Sequence, residues 1–418
     1  MEAITQNKTN KRTFTGYQKL VIFILAITQF SVVLDFMIMS PMGDLLMKTL
    51  SLKPSQFGTA VSGYAFSAGI SGLFTAGFAD KFDRKKLLLF FYTGFIVGTI
   101  FCSIANSYTM LLIARIITGL FGGVIGSISL AIIADLFDIH HRGRVMGFVQ
   151  MGFGASQVLG IPIGLYLANQ LGWRAPFALV AGMAAMIAIL IHIKLKPVTA
   201  HLSRKHDRSP LRHLFHTFSQ KSYRIGFIAT AFLSIGGFMM MPFSSAFAVN
   251  NLKITQEQLP LLFMVSGCAS LVIMPLVGRL ADRIDKFIVF TFASIWMIVI
   301  VVIYTHLTAS PLWFVMIFNV VMMMGILSRT VPASALTTAV PDMQDRGAFM
   351  SISSSLQQIA GGIAAVSAGM VIKQDGKFSP LQHYNTLGYV TVGISILSVL
   401  FLYRVSLLVK KKLGEEKV

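Results

Sequence analysis

Apolar residues in this 418-residue chain occur in long runs that are separated by short polar segments. Many of these runs reach the roughly 20 residues that a helix needs to cross the hydrocarbon core of a bilayer. Because an unpaired backbone amide is very costly in lipid, runs of this length predict helices, whereas barrel strands would be about half as long and would alternate. The pattern predicts twelve transmembrane helices, at residues 18–42, 56–79, 86–106, 109–135, 144–169, 174–195, 223–249, 257–281, 287–306, 311–338, 347–372 and 384–408.

Composition supports an integral membrane protein in contact with a lipid bilayer. The chain is 55% hydrophobic and 12% charged, and its mean hydropathy is +0.73. A single water-soluble core cannot bury so many apolar side chains. The first run follows a basic segment, as in a secretory signal, but it is too long and lacks a small-residue cleavage site. We therefore expect it to remain as the first helix.

The distribution of lysine and arginine predicts the orientation. Most of the 35 basic residues lie on the side that carries both termini, and the other side has only Lys48, Lys53, Arg174, Lys253, Lys373 and Lys377. The positive-inside rule then places both termini in the cytoplasm. We expect the membrane to be a bacterial-type inner (plasma) membrane. The net charge of +19 is mostly charge at the membrane surface, and we expect no nucleic-acid partner.

The sequence lacks the common signatures of metal and nucleotide chemistry. Cys102 and Cys268 lie in or near apolar runs and fit neither a disulfide framework nor a zinc site. No phosphate-binding loop, H-E-x-x-H or G-x-S-x-G motif occurs. We therefore expect no metal, no cofactor and no enzymatic activity, and any energy for transport would come from an ion gradient.

Two charged motifs divide the chain into similar halves. The segment FADKFDRKK at 78–86 recurs as GRLADRIDKF at 278–287, and RGRVMG at 142–147 recurs as RGAFMS at 346–351. Six spans per half make this a parallel duplication, with a pseudo-axis along the membrane normal. The prediction is an all-α protein of two pseudo-symmetric six-helix bundles, divided into a tail at 1–17, a bundle at 18–195, a cytoplasmic linker at 196–222, a bundle at 223–408 and a tail at 409–418.

These motifs resemble the major facilitator superfamily, in particular its twelve-helix drug:proton antiporters and the sugar-efflux permeases. The loop signature G-x-L-A-D-R-x-G-R-K of that family is matched by Asp80, Arg84 and Lys85, and a second copy starts at Gly278. The segments GIPIG at 160–164 and GWRAPF at 172–177 resemble the fifth-helix signature of the antiporters. The resemblance covers essentially the whole chain and implies the fold of that superfamily.

The resemblance implies a cytoplasmic gate. Asp80 and Arg84 would clamp neighbouring helix ends in the outward-facing state, with Asp135 at the end of the fourth span as a partner for the arginine. In the second half, the corresponding candidates are Asp282, Arg283 and Asp342. Alternatively, these charges only fix topology at the lipid headgroups.

Three charged residues lie well inside predicted spans, namely Asp35, Arg115 and Arg329. A charge at mid-bilayer costs roughly 2.5–3.5 kcal/mol on insertion scales, so such residues usually serve function. Arg115 also begins the R-x-x-x-G motif of the fourth helix, and the fold that the chain resembles allows it to pair with Asp35. The two residues are then candidates for proton coupling, and the alternative is a permanent structural ion pair.

Three interpretations are open for Arg329. Its planar guanidinium is suited to a carboxylate, a phosphate or a sugar hydroxyl in a cavity, it could reach Asp35 across that cavity, or it could bind backbone carbonyls. Five amide side chains are candidates for the lining of the same substrate cavity, although each could instead form an interhelical hydrogen bond: Gln29, Gln150, Gln157, Asn319 and Gln357. The small-residue spacings of Gly119 with Gly123 and of Gly160 with Gly164, around Pro162, predict close helix packing.

The sequence as a whole predicts a secondary transporter. Our expectation is a monomeric, proton-coupled exporter of a small organic solute, such as a drug-like compound, a sugar or a metabolite, that works by alternating access. One alternative is a proton symporter or facilitator of an anionic solute, with Arg329 as its ligand. Another is a non-transporting membrane receptor or scaffold, which would have no use for three charges inside the bilayer.

Overall fold

The computed structural model of the protein describes residues 14–75, 77–199, 202 and 210–415. The rest of the predicted N-terminal tail, the middle of the linker and residues 416–418 lie outside the described residues. The helices are α1 Gly16–Ile38, α2 Gly43–Leu50, α3 Pro54–Thr75, α4 Arg84–Ile104, α5 Tyr108–Leu136, α6 Ile139–Ala155, α7 Ile161–Leu171, α8 Ala175–Lys194, α9 Pro210–Ser219, α10 Lys221–Phe238, α11 Ser244–Asn250, α12 Leu259–Arg283, α13 Lys286–Thr305, α14 Leu312–Thr338, α15 Arg346–Val371 and α16 Tyr384–Glu415.

Each predicted span corresponds to a helix or to a pair of consecutive helices, which confirms the fold class. Ten helical segments of the described chain are long and apolar enough to cross a membrane. The spans outside that group, α3 and α15, are 22 and 26 residues long and contain many glycines and serines. Their lower hydropathy follows from the small side chains that they use to pack against each other.

The predicted fifth and seventh spans are interrupted. A π-helical turn at Ser156–Gly160 separates α6 from α7, next to Pro162, which lacks the amide hydrogen that would continue the helical ladder. In the seventh span, α10 ends at Phe238, a 3₁₀ turn follows at Met241–Phe243, and the helix resumes as α11. Both breaks lie where the two halves meet.

Two predicted polar segments contain helix. The linker predicted at 196–222 includes α9, and the tail predicted at 409–418 continues α16 as far as Glu415. The first of these packs on the second half, where His213 lies 3.0 Å from Asp345. Local hydropathy could not predict either helix, because both are polar and are stabilised by contacts with the helix ends beside them.

The first half comprises α1–α8, the second half comprises α10–α16, and the two meet along a seam. In the seam, α3 packs against α15, and α6 and α7 pack against α12. A Cβ atom at Gly369 of α15 would lie 2.8 Å from the carbonyl oxygen of Pro54, and one at Gly267 of α12 would lie 2.9 Å from that of Gln157. Glycine therefore permits the backbones of the two halves to approach closely.

The periphery of the bundle is apolar. Phe74, Phe292 and Met370 are 69–71% exposed, and many other large apolar side chains are exposed beside them. Such an extensive apolar surface is typical of contact with lipid. We call the end of the bundle where α1 begins and α16 ends the terminal face, and the end where α1 meets α2 the opposite face.

Candidate functional site

An ion pair lies inside the first half. Asp35 is in the last turn of α1 and Arg115 is in the second turn of α5, and the Nη1 atom of the arginine donates to the carboxylate oxygen Oδ2 at 2.7 Å. The same nitrogen also donates to the backbone carbonyl of Asp35 at 3.3 Å. The side chains are 0% and 1% exposed, so the two charges are closed to solvent from both faces.

Three further helices enclose this pair. The hydroxyl of Thr99 on α4 lies 3.4 Å from the other carboxylate oxygen of Asp35. The Arg115 guanidinium lies 4.6 Å from the ring centre of Tyr64 on α3 and 6.0 Å from that of Phe177 on α8. Aromatic faces attract cations, so these rings stabilise a guanidinium that has left water. The structure therefore brings the predicted Asp35–Arg115 pair together.

The interpretation of Arg329 as a cavity ligand needs correction. The side chain is 4% exposed, and it donates to the hydroxyls of Ser395 at 3.2 Å and Ser398 at 2.8 Å, both on α16. Its guanidinium also lies 5.5 Å from the ring centre of Phe290. Arg329 is thus enclosed within the second half, far from any contact with Asp35, because α16 supplies hydroxyl acceptors that local sequence could not assign to it.

The five predicted cavity amides have different surroundings. Gln150 and Gln357 are exposed. Gln157 accepts a hydrogen bond from Ser270 of α12 at 3.1 Å, so it joins the halves. Asn319 donates to the carbonyl of Val315 in its own helix. Gln29 of α1 lies against α5 and α6. The structure therefore does not gather all five amides into one site.

A small cavity at the seam was missed by the sequence analysis. It has a volume of about 10 Å³, room for roughly one water molecule, and it lies between α1, α3, α10 and α15. Its polar lining comes from Ser40 and Gln358, and much of the rest is apolar, including Phe36 and Phe238. The signal that could have found it is the helical spacing of Gln358 with Gly361 and the alanines that follow on one face of α15.

Arg84 and its acceptors, here called the arginine cluster, lie at the terminal end of the first half. Arg84 is 8% exposed at its side chain and donates to Asp80 at 2.5 Å and to Asp135 at 3.3 Å. It also donates to the carbonyl of Ala79 at 3.1 Å. The start of the linker joins this cluster, since the carbonyl of Val198 accepts from the Arg84 amide at 3.2 Å. The predicted gate residues of the first half therefore lie together.

The helix caps follow the register of the repeated motifs. The side chain of Asp83 accepts a hydrogen bond from the backbone amide two residues further on and caps the N-terminus of α4. The side chain of Asp285 caps α13 in the same way. Equivalent caps make Lys286 the counterpart of Arg84. In the same register, Arg283 is the counterpart of Lys81.

The second half does not repeat the arginine cluster. Asp282 and Arg283 are exposed and form no ion pair with a described residue. Asp342 pairs instead with Lys412 of α16 at 2.6 Å and lies 3.4 Å from the hydroxyl of Tyr223. The predicted gate candidates of the second half therefore do not form one cluster, because the end of α16 extends far enough to supply the cation for Asp342.

Two lysines of α16 hold the terminal end of the second half. The hydrogen bond from Lys412 lowers the pKa of Asp342, and the one from Lys410 lowers the pKa of Asp285. Lys412 also donates to the carbonyl of Pro341 at 3.2 Å. A lowered carboxyl pKa means that these contacts favour the folded state above the ordinary pKa of aspartate, and that this contribution is lost as the pH falls through the lowered pKa.

The predicted packing glycines lie at close helix contacts. A Cβ atom at Gly119 would overlap the carbonyl oxygen of Tyr64, and one at Gly123 would lie 2.5 Å from the side chain of Ala68, so α5 approaches α3 closely. Gly160 and Gly164 face apolar side chains of α1 in the same manner. These glycines position α1, α3 and α5 around the Asp35–Arg115 pair.

Hydrogen bonds join the halves at mid-membrane and toward the opposite face. Besides the Gln157–Ser270 contact, Ser245 donates to the carbonyl of Ser40 at 2.8 Å, and Asn169 donates to the carbonyl of Gln256 at 2.8 Å. The hydrogen bonds named here therefore lie at mid-membrane and toward the opposite face, and α3 packs against α15 along the same seam.

Two helical halves that meet along a seam, with charged groups buried inside one of them, define a multi-pass membrane protein of the secondary-transporter class. The family model of the Major Facilitator Superfamily matches residues 25–365 and 226–417. The chain belongs to this superfamily, which confirms the resemblance noted from its motifs. It is a transporter of small molecules and not an enzyme.

Similar proteins from bacteria cover nearly the whole chain. The uncharacterised MFS-type transporter YbcL of Bacillus subtilis (strain 168) is 24% identical over 389 residues, which are 91% of this chain and 95% of that protein. A probable sugar efflux transporter of Helicobacter pylori (strain G27) is 22% identical over 408 residues, which are 96% of this chain and 99% of that protein.

Solved structures of distant sequence share the fold. A bacterial homologue of the human lysosomal transporter Spinster, in an inward-facing and unoccupied conformation, has a TM-score of 0.77 and 15% identity, covering 96% of this chain and 99% of its own. The D-xylose–proton symporter has a TM-score of 0.75 and 17% identity, covering 93% and 98%. At these identities the likeness establishes the fold alone.

Proposed function

We propose that the protein is a monomeric, proton-coupled exporter of a small organic solute that works by alternating access in the bacterial inner membrane. The terminal face would be cytoplasmic, as the distribution of lysine and arginine requires. The observation that carries the proposal is the buried Asp35–Arg115 pair. The names of the relatives, probable sugar efflux transporters among them, support the export of a small solute.

The buried pair has the properties of a proton carrier. With Asp35 ionised, Arg115 neutralises it at 2.7 Å, and an uncompensated charge at this depth would be very unfavourable. Protonation neutralises the carboxyl group and releases the guanidinium, which then has to find other acceptors. The two protonation states therefore favour different arrangements of α1 and α5.

Because the ion pair is enclosed by helices, the access of a proton to Asp35 depends on the conformation of the protein. Because the side chains are 0% and 1% exposed, a proton reaches Asp35 only when the helices around it repack. Loading and release of the proton then occur in different conformations, as coupled transport requires. A proton crossing roughly 150 mV provides about 3.5 kcal/mol, enough for an accumulation of roughly a few hundred fold.

A series of aromatic contacts connects the ion pair to the seam. Arg115 stacks on Tyr64, the Tyr64 ring centre lies 5.1 Å from that of Phe36, and Phe36 lies 6.2 Å from Phe238 of the second half. Phe36 and Phe238 also line the small cavity. Movement of the guanidinium would therefore shift side chains at the place where a solute would bind between the halves.

The test is the Asp35→Asn variant in proteoliposomes with an imposed pH gradient. Asparagine mimics the protonated carboxyl permanently, so we expect gradient-driven accumulation to be abolished while solute binding remains measurable. Flux and binding are measured on the same purified protein, with solutes drawn from an untargeted accumulation screen run with and without a proton gradient.

The matched control is Asp375→Asn, because Asp375 is exposed in the loop before α16 and accepts a hydrogen bond from Gln382 of the same half. This variant is expected to transport like the wild type. If Asp35→Asn still concentrates solute with the pH dependence of the wild type, the pair is only structural and the proposal of proton coupling at this site is wrong.

A further inference from the structure

A second buried carboxylate lies between the halves at the opposite face. Asp44, in the first turn of α2, is 1% exposed. Its Oδ1 atom accepts a hydrogen bond from the side-chain amide of Asn250 at 2.5 Å. Its Oδ2 atom accepts a hydrogen bond from the side-chain amide of Gln256 and forms an ion pair with Lys48 at 2.7 Å. Asn250 and Gln256 belong to the second half, whereas Lys48 lies one turn further along α2.

The partners of Asp44 differ from those of Asp35 in one respect. Arg115 and Thr99 both belong to the same half as Asp35, so a rigid movement of one half against the other leaves that pair intact. Two of the three partners of Asp44 move away when the halves separate at the opposite face. The carboxylate would then exchange Asn250 and Gln256 for water.

The energetics suit a reversible contact. Hydrogen bonds to a charged acceptor are stronger than neutral ones. A buried carboxylate that loses such a partner is strongly destabilised unless another group replaces it. Separation of the halves admits water, which supplies that replacement, so the net difference between the two states is modest. A contact of this kind holds a closed state without trapping it.

We propose that Asp44 is the latch of the gate at the opposite face: its carboxylate holds the two halves together through Asn250 and Gln256 when that face is closed. The inference rests on the alternating access proposed above. Hydrogen bonds on either side of the latch, from Ser245 to Ser40 and from Asn169 to Gln256, align the two surfaces but involve no charge.

The latch can be tested by a distance measurement between the halves, without substrate or a proton gradient. Spin labels are placed at Asn106→Cys and Ala309→Cys, which are exposed in loops of the two halves at the opposite face. Cys268→Ser removes the exposed native thiol, and Cys102 is buried. Pulsed electron–electron double resonance in lipid nanodiscs then measures the distance between the two labels and gives the populations of the closed and open states.

In Asp44→Asn, we expect the ratio of open to closed populations to rise by about tenfold to a hundredfold, since the variant replaces charge-assisted hydrogen bonds by weaker neutral contacts. Asp375→Asn is the matched control and is expected to match the wild type. Asn250→Ala removes a partner from the other half and is expected to shift the ratio in the same direction. It also provides the readout if Asp44→Asn does not fold.

A double variant separates a latch from two independent effects. If Asp44 and Asn250 act through one contact, Asp44→Asn with Asn250→Ala shifts the ratio by less than the two single shifts combined. Distance distributions that match the wild type in Asp44→Asn, or in Asn250→Ala where the first variant does not fold, would overturn the latch. The Asp35→Asn flux test bears on proton coupling alone, so failure of the proposed function and failure of the latch are distinguishable.

Discussion

At the scale of single residues, the buried charges are compensated in two different ways. The Asp35 carboxylate faces a guanidinium at 2.7 Å, whereas Arg329 has hydroxyls and an aromatic ring around it. A guanidinium is delocalised and weakly hydrated, so serine oxygens and a phenyl face are sufficient to hold it inside a protein. Removal of Arg115 would leave an unpaired charge, and removal of Arg329 would not.

This difference predicts unequal effects of the same substitution. Arg115→Met should lower the free energy of unfolding by about 3–5 kcal/mol, because Asp35 remains buried without its partner. Arg329→Met should have a much smaller effect, since Ser398 already donates to a carbonyl of its own helix and needs no further partner. Thermal unfolding of the purified variants in detergent is the measurement.

The double variant Asp35→Asn with Arg115→Met serves as the control for this comparison. It removes both charges and should recover most of the stability that Arg115→Met loses. Equal losses for Arg115→Met and Arg329→Met, or no recovery in the double variant, would show that charge compensation does not explain the difference.

At the scale of helices, small residues determine which elements approach each other. The glycines of α5 face α3, and α3 and α15 pack together across the seam through glycine, alanine and serine. Because such side chains are weakly hydrophobic, α3 and α15 have less apolar sequences than the other spans. Close backbone approach replaces bulky apolar contact as the source of their packing.

Gly119 provides a test at this scale. In Gly119→Ala, the added methyl group would overlap the carbonyl oxygen of Tyr64, and we expect a loss of about 1–3 kcal/mol in stability from overpacking. Gly182→Ala is the matched control, because Gly182 is also within a membrane helix and a Cβ atom there meets nothing within 4 Å.

The stability of both glycine variants is measured by thermal unfolding in detergent, alongside the yield of folded protein. Gly182→Ala should unfold like the wild type or at a slightly higher temperature, since alanine favours helix over glycine. Indistinguishable unfolding of the two variants would mean that α5 can move away from α3 at no cost.

At the scale of the whole molecule, the seam differs between its two ends. Toward the opposite face, Asp44, Ser245 and Asn169 take part in hydrogen bonds between the halves. Gln150 of α6 and Gln357 of α15 are exposed nearer the terminal face. An exposed amide within a membrane span is unfavourable in lipid, so we interpret these two positions as facing a water-filled opening toward the terminal face.

This interpretation predicts one-sided chemical access. In a Cys268→Ser background, Gln150→Cys and Gln357→Cys should react with a membrane-impermeant maleimide applied from the terminal face, and Ser40→Cys, 5% exposed at its native residue, should not. Labelling rates in inside-out and right-side-out vesicles provide the measurement. Equal labelling from both faces would contradict a seam that is closed at the opposite face.

The sequence by itself determined the features that depend on local pattern. Lipid requires long apolar runs and continuous backbone hydrogen bonding, so the spans could be located from hydropathy, and the fold class followed from them and from the repeated motifs. The high cost of a charge in lipid also singled out Asp35 and Arg115. Aspartate before a helix predicted little more than a charged loop, yet Asp83 and Asp285 cap α4 and α13.

Only the tertiary structure decided which distant residues meet. Arg329 is satisfied by serines of α16, Asp342 by a lysine beyond the predicted end of that helix, and Asp44 by amides of the other half. No local pattern specifies such partners, because each contact depends on how helices that are far apart in the chain pack together. Hydropathy predicts whether a segment lies in lipid or in water, whereas the partner of a buried polar group is determined by the geometry of the assembled bundle.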